Sequence, residues 1–367
     1  MNTHRIVFPI AIEVDPMEKL LLVNFEKDPD SIYVGFEPQV FDDPINGTGH
    51  LIIGWRTDKK VDIYHQKSLS LDTSKYSIAG AGLNKMIPVD MEKAAFEVND
   101  FGVKAHYKFT DLMGRGVEML IDENNTRKRK PFGLLAPMGD ATTNPKSLPL
   151  ILLHDFYFVR KKHTETKVSI DNNFHKLDEL PVRIDWQRMT FVRYSPRPLI
   201  ATLNPAYTGV LDQLDIEAGQ EQLENGDHKY EIEWIGQRAF IKSMSVDNSI
   251  HPLTINLTPS FPCLNTITDN AQLNGKFKIT GHESVGSIVG IYSIIPEKES
   301  FQIRMVPSGG WNPMTTKLST WFLFTVAKVF KQWPGTYQWD AVLTKSEEGI
   351  WQMQSEWIRT GRISNAP

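Results

Sequence analysis

The sequence predicts an all-β fold, mainly antiparallel, made of two β-barrel or β-sandwich domains with one helix late in the chain. Three observations carry this. Apolar and polar residues alternate with period two along most of the chain. Clusters of Asn, Asp, Gly and Lys break the alternation at short intervals. A single segment spaces its large apolar residues by three and four.

In chain order, Leu51 to Arg56 and Val61 to Gln66 flank the charged turn Thr57-Asp58-Lys59-Lys60 as a hairpin. Ala94 to Val98 leads through Asn99-Asp100-Phe101-Gly102 into a strand where Val103, Ala105, Tyr107 and Phe109 alternate with Lys104, His106, Lys108 and Thr110. Asp111-Leu112-Met113-Gly114 turns the chain again into Val117, Met119 and Ile121, giving a three-stranded meander. Short strands follow at Lys167 to Ile170, Arg188 to Tyr194, Tyr230 to Ile235, Ala239 to Val246, Thr254 to Leu257 and Lys276 to Thr280. Ser287 to Ile295, Phe301 to Val306, Tyr337 to Leu343 and Trp351 to Ile358 complete a series of about twenty strands.

The exception is Leu318, Trp321, Phe322, Val326, Val329, Phe330 and Trp333, whose spacing predicts an amphipathic helix over 316–333. Thr315 or Thr316 caps it and Pro334-Gly335 ends it. Such a helix suits the end of a barrel or the face of a sheet, with a membrane-surface helix as the rival reading. The most polar stretch, Asp212 to Lys229, places a domain boundary within 205–228 and divides 1–210 from 211–367. Paired lipocalin-like barrels are one architecture of this length, offered by analogy of size and class.

Forty basic against 44 acidic residues leave a net charge of -4, so no nucleic-acid partner is expected. The run Arg127 to Lys130 is ordinarily a solvated loop; its sharper reading is an anion contact. The single cysteine, Cys263, excludes an intramolecular disulfide and a multi-thiolate zinc site, and its apolar neighbours suit a buried, inert thiol. Met1 to Glu13 lacks the pattern of a signal peptide, which points to the cytoplasm. Trp321 to Val329 contains Lys328 and is too short to span a bilayer, so no transmembrane segment is expected.

Nucleotide and hydrolase signatures fail in identifiable ways. Ser284 in Gly281 to Gly286 lacks the glycine two residues before it, and Gly80 to Lys85 lacks the third glycine of a dinucleotide loop. His163 and Glu165 could supply two metal ligands from one strand face, but no third ligand stands at a telling distance. No metal and no cofactor is therefore expected.

Chemistry is then left to the strand Pro149 to Glu165. Both of its faces are apolar, which predicts burial on both sides with His154 and Asp155 held mid-strand. A buried carboxylate must be paired, hydrogen-bonded or protonated. His154, Asp155 and Tyr157 are the candidate catalytic residues. A His–Asp pair that merely ties the sheet to an arginine explains the first two as well. Neighbours on a strand face opposite ways, so His154 and Asp155 are not expected to pair with each other. Tyr64, Asp62 and Trp55 on the hairpin strands, and Trp311 in an aromatic-tipped loop, are candidate ligand contacts. A cavity lined by Tyr64, Tyr157 and Asp155 requires their strands to be neighbours.

The leading functional expectation is binding or conversion of an apolar, lipid- or isoprenoid-like small molecule in a β-enclosed cavity, with acid/base chemistry. A carbohydrate-binding or carbohydrate-active sandwich is the first alternative, with Trp339, Trp351 and Trp357 as stacking platforms, although their alternation points them inward. A structural or interaction protein without a catalytic site is the second. Oligomeric state is not readable from the sequence.

Overall fold

Period-two alternation becomes a ladder wherever two such runs can bury one face together. The computed structural model describes residues 3–15, 17–76, 78, 80–127, 129–136, 145–181, 183–247, 251–267, 271–297, 300–314, 318–326 and 333–360. Among them the chain is all-β and mostly antiparallel, with 27 strands rather than about twenty. The additional ones include Tyr33–Asp43, Phe132–Ala136 and Pro198–Leu203. One sheet curls into a half-barrel.

The expected meander is present as Lys93–Asn99, Gly102–Thr110 and Gly116–Glu123, and Thr164–Ile170 and Asn173–Phe174 extend it to five strands. Its alternate residues Val103, Ala105, Tyr107, Phe109, Val117, Met119 and Ile121 are buried against Val23, Phe36, Ile52 and Tyr64 of a ten-stranded sheet. That larger sheet runs Ile12–Asp15, Pro198–Leu203, Leu148–Arg160, Met189–Ser195, Lys19–Asn24, Tyr33–Asp43, Gly47–Arg56, Val61–His65 and Leu83–Pro88, with Phe132–Ala136 pairing Leu148–Arg160 off that path. Only the contact between Val61–His65 and Leu83–Pro88 is parallel within it.

Thr3–Ile6 pairs with Leu214–Glu217 in a separate two-stranded sheet, and a second ten-stranded sheet takes the remaining strands. From Gln222–Asn225 to Trp351–Arg359 each strand pairs with the next in sequence, and Tyr207–Val210 adds to the last one. Trp339, Trp351 and Trp357 point into its core and are at most 4% exposed, so none offers a face for stacking on a sugar.

Two expectations change here. A helix forms at Leu318–Val326, and the remainder of 316–333 is outside the described residues apart from Trp333. Of its large apolar side chains that the structure describes, three are exposed and one is buried. Leu318 is 82% exposed and Trp321 and Phe322 about half exposed, while Phe324 is buried against the Trp311 ring. The Gly309–Pro313 segment is not a free loop. Trp311 ends the strand Ser300–Asn312, is buried, and donates its indole N–H to the Val285 carbonyl at 2.8 Å.

The two halves meet along one continuous apolar cluster that joins Leu150, Leu152 and Phe156 to Leu253, Ile279 and Val285. Gly133 marks the tightest point of this seam. It lies at a register shift between Phe132 and Leu134, where the short turn Glu283–Val285 crosses the strand. A Cβ there would stand 1.9 Å from the Ser284 carbonyl oxygen. The strand Phe132–Ala136 cannot retreat without breaking its pairing with Leu148–Arg160, and the turn is held by its own hydrogen bonds from Val285 N to the His282 carbonyl and from Gly286 N to the Glu283 carbonyl. The substitution G133A should therefore lower stability by ~1–3 kcal/mol in urea unfolding, as overpacked sites do; an unchanged midpoint would contradict this contact.

Candidate functional site

The strand Leu148–Arg160 buries its even-numbered side chains fully and its odd-numbered ones mostly by half, so it is less enclosed on its second face than its composition predicts. Its neighbour on one side is interrupted. Leu148 to Leu153 pair with Pro198–Leu203, and Tyr157 to Arg160 pair with Met189–Ser195. The segment between reads Ser195-Pro196-Arg197-Pro198, in which two residues have no N–H to give a ladder. His154, Asp155 and Phe156 stand opposite that gap.

His154 is 7% exposed and packs against two imidazoles from the other half of the chain. Its ring centroid is 4.8 Å from that of His251 and 5.4 Å from that of His282, which are 4.4 Å from each other. His282 Nδ1 lies 2.6 Å from the Ser284 hydroxyl and accepts the Ser284 N–H at 3.2 Å. That arrangement caps the turn Glu283–Val285 and spends the imidazole on local structure.

Asp155 lies closer to His154 than strand geometry predicts, with Oδ2 at 3.3 Å from His154 Nε2. The interrupted ladder removes the constraint that would splay the two apart. The contact lacks hydrogen-bond geometry, and His154 Nε2 is buried with no hydrogen-bond partner among the described residues. Arg197 donates Nε to the Asp155 carboxylate at 3.0 Å and also brings Nη2 to it. Asp155 thus holds the arginine that bridges the gap, and the imidazole is left over.

Burial holds the His154 pKa down at about 4, with the Asp155 charge opposing and His251, Arg197 and His282 adding to the depression. His251 is also pushed down, by burial first and then by His282 and Arg197. Between about pH 6.5 and 4 the unfolded chain takes a proton on His154 that the folded chain refuses. The contribution is fully present above the unfolded value and is lost as pH falls through that window. The wild type should lose ~2–3 kcal/mol more than H154F between pH 7 and pH 4, measured by urea unfolding at each pH. Parallel pH curves would show an ordinary imidazole.

The other predicted residues are dispersed. Tyr157 is half-buried, stacks on Tyr194 at 5.2 Å, and lies under the Arg129 guanidinium at 4.7 Å. It lines a pocket of about 270 Å³. Four strands separate Leu148–Arg160 from Val61–His65 in the sheet, so Tyr64 is not beside Tyr157 and Asp155 and the expected shared cavity does not form. Tyr64 and Asp62 belong instead to a buried network. Asp62 accepts from Arg56 at 2.8 Å, Tyr33 at 3.1 Å and Asn84 at 2.6 Å, while the Tyr33 and Tyr64 hydroxyls meet at 2.5 Å. Burial raises the Tyr64 pKa to about 12, so this network is neutral at its phenols and reads as structural.

Trp55 leads to a group that the sequence did not single out. Its indole donates to Glu37 Oε2 at 3.0 Å, and Gln39 donates to Glu37 Oε1 at 2.9 Å. Burial raises the Glu37 pKa, opposed by these two donors and by Arg193. Cross-strand register sets Glu37, Gln39, Arg193, Ser195 and His154 on the same sheet face. Gln39 Oε1, Arg193 Nε, Ser195 Oγ and His154 Nε2 are all buried without hydrogen-bond partners. The signal in sequence was Glu37 and Gln39 at spacing two between apolar residues. It was missed because Tyr33–Asp43 contains Pro38 and was not read as a strand.

His163 sits at a left-handed turn position, φ 59°, ahead of the strand carrying Glu165, so the two do not share a strand face. No group of three or more His, Cys, Asp or Glu among the described residues is arranged to hold a metal ion. Among those residues no helix is long and apolar enough to cross a membrane. Comparison with family models, curated proteins and solved structures finds no match for this chain.

Proposed function

We propose that the protein takes up an apolar small molecule at the seam between its two β halves, with His154 as the proton acceptor that acts on it. The carrying observation is a buried, neutral imidazole whose Nε2 has no hydrogen-bond partner among the described residues. A buried polar atom without a partner costs free energy that a purely structural residue has no reason to keep. The apolar cluster that joins the two halves contains Leu152, Phe156, Leu253 and Val285, which suits a lipid- or isoprenoid-like body. A base of this kind supports isomerisation, cyclisation or hydration, in which one proton moves at carbon or oxygen.

The architecture we assign to this reading is a pair of lipocalin-like units, divided near 210. The meander of consecutive strands in the second half supports it, since that is the order of an up-and-down barrel. The rival reading is structural, and the Asp155–Arg197 contact favours it: the pair would then serve only to bridge the Pro-interrupted ladder.

The substitution H154F separates the two. If the imidazole is kept for a ligand, H154F should stabilise the protein by ~1 kcal/mol at pH 7, because an apolar ring replaces an unsatisfied polar one. It should also abolish the thermal shift that a panel of isoprenoid alcohols and fatty acids gives the wild type. A destabilised H154F with no thermal shift in either protein would leave the structural reading standing.

A further inference from the structure

The pocket beside Tyr157 lies on a different part of the same strand, and we propose that it binds a one-ring organic anion. The carboxylate or phosphate sits on Arg129, and the ring lies among Phe132, Tyr157 and Trp186. The inference does not depend on the seam reading.

Charge comes first. Arg127, Arg129, Lys130 and Arg160 line the pocket, with Asp185 the one carboxylate in its lining. Arg160 is already committed. Its Nε meets Glu123 at 2.6 Å, and its other nitrogens donate to the Arg127 carbonyl at 2.6 Å and the Phe101 carbonyl at 2.7 Å. Arg129 is not committed in the same way. It gives Nη2 to the Asn99 carbonyl and stacks over Tyr157 and Tyr194, while Nη1 is buried without a hydrogen-bond partner. A guanidinium held over two rings, with a donor unpaired among the described residues, fits an oxyanion. Burial also depresses its pKa, with Arg160 adding to the depression and Glu123, Tyr157 and Asp100 opposing it.

Backbone strain is the second, independent sign. Ile184 and Gln187 exchange hydrogen bonds of 3.1 and 2.9 Å around a two-residue turn formed by Asp185 and Trp186. Both central residues are left-handed, with φ of 48° and 66°. Such turns ordinarily take Asn-Gly, and a bulky ring there is an outlier. The tryptophan is 88% exposed, so core packing does not explain it. What it does is wall the basic pocket. The pocket volume, about 270 Å³, lies at the low end for small-molecule sites and limits the ligand to about one ring.

The test is isothermal titration of the full chain with phenyl phosphate, benzoate and inorganic phosphate. The two aryl anions should bind saturably with Kd of about 1 mM or tighter, and inorganic phosphate at least fivefold more weakly. Affinity should fall about tenfold in R129Q and about threefold in K130Q, an exposed position whose variant has no reason to misfold, and should weaken with added salt. W186G should bind about fivefold more weakly yet unfold at higher urea, because glycine relaxes the left-handed turn. H154F should bind the aryl anions as the wild type does. The proposal is overturned if no probe binds saturably, if R129Q and K130Q bind as tightly as the wild type, or if inorganic phosphate matches phenyl phosphate.

Discussion

Complete burial of one side of Leu148–Arg160 is the constraint on which the rest of the structure depends. Leu148, Leu150, Leu152, Phe156 and Phe158 occupy that side, and each removes a side chain from water worth about 1.5–3 kcal/mol. These side chains bind the first sheet to the second half of the chain through one apolar cluster. His154 and Arg160 fall on the same side by the parity of the strand, and the fold must accommodate two polar groups in an apolar row. It does so in opposite ways. Arg160 keeps its charge and receives a fully buried carboxylate, Glu123, together with main-chain carbonyls. A buried charge is tolerated only with partners of this kind, here through Glu123 Oε1, while Glu123 Oε2 has no hydrogen-bond partner among the described residues. His154 instead gives up its charge, and its Nε2 remains without a hydrogen bond. One polar residue is thus paired into the structure, and the other is left neutral.

The β character of the chain was legible because alternation and turn residues are local signals. Val103 to Phe109 show their buried face in the primary sequence and needed no tertiary information. The strand Tyr33–Asp43 was not legible, since Pro38 and a cluster of charged residues mask its alternation. Helical spacing identified the segment around Leu318 but not its orientation. Periodicity says which residues share a face, and only the neighbours decide whether that face is covered. Trp311 was misread for a related reason: Gly309-Gly310 signals a turn, yet the strand Ser300–Asn312 runs through those glycines.

The candidate site divides along the same line. His154 and Asp155 could be singled out because a polar pair inside an apolar run is visible in one dimension. Their closeness was excluded by the regular-strand rule, which fails where Pro196 and Pro198 interrupt the ladder. His251 and His282 lie 97 and 128 residues further along the chain, and no spacing rule joins them to His154. Glu37, Gln39, Arg193 and Ser195 come together only through cross-strand register. Tyr64, Asp62 and Trp55 were chosen for residue type alone, and the sheet order separates them from the strand that was meant to complete their cavity.

The central claim is that His154 is a neutral imidazole kept for a proton. Nitrogen-15 NMR of the histidine rings across a pH titration tests it directly, because ring nitrogen shifts report protonation and tautomer at each imidazole. His154 is expected to stay neutral until the pH approaches about 4, well after an ordinary histidine has charged. Titration of His154 at about 6.5, or an Nε2 signal showing a settled hydrogen bond, would contradict it.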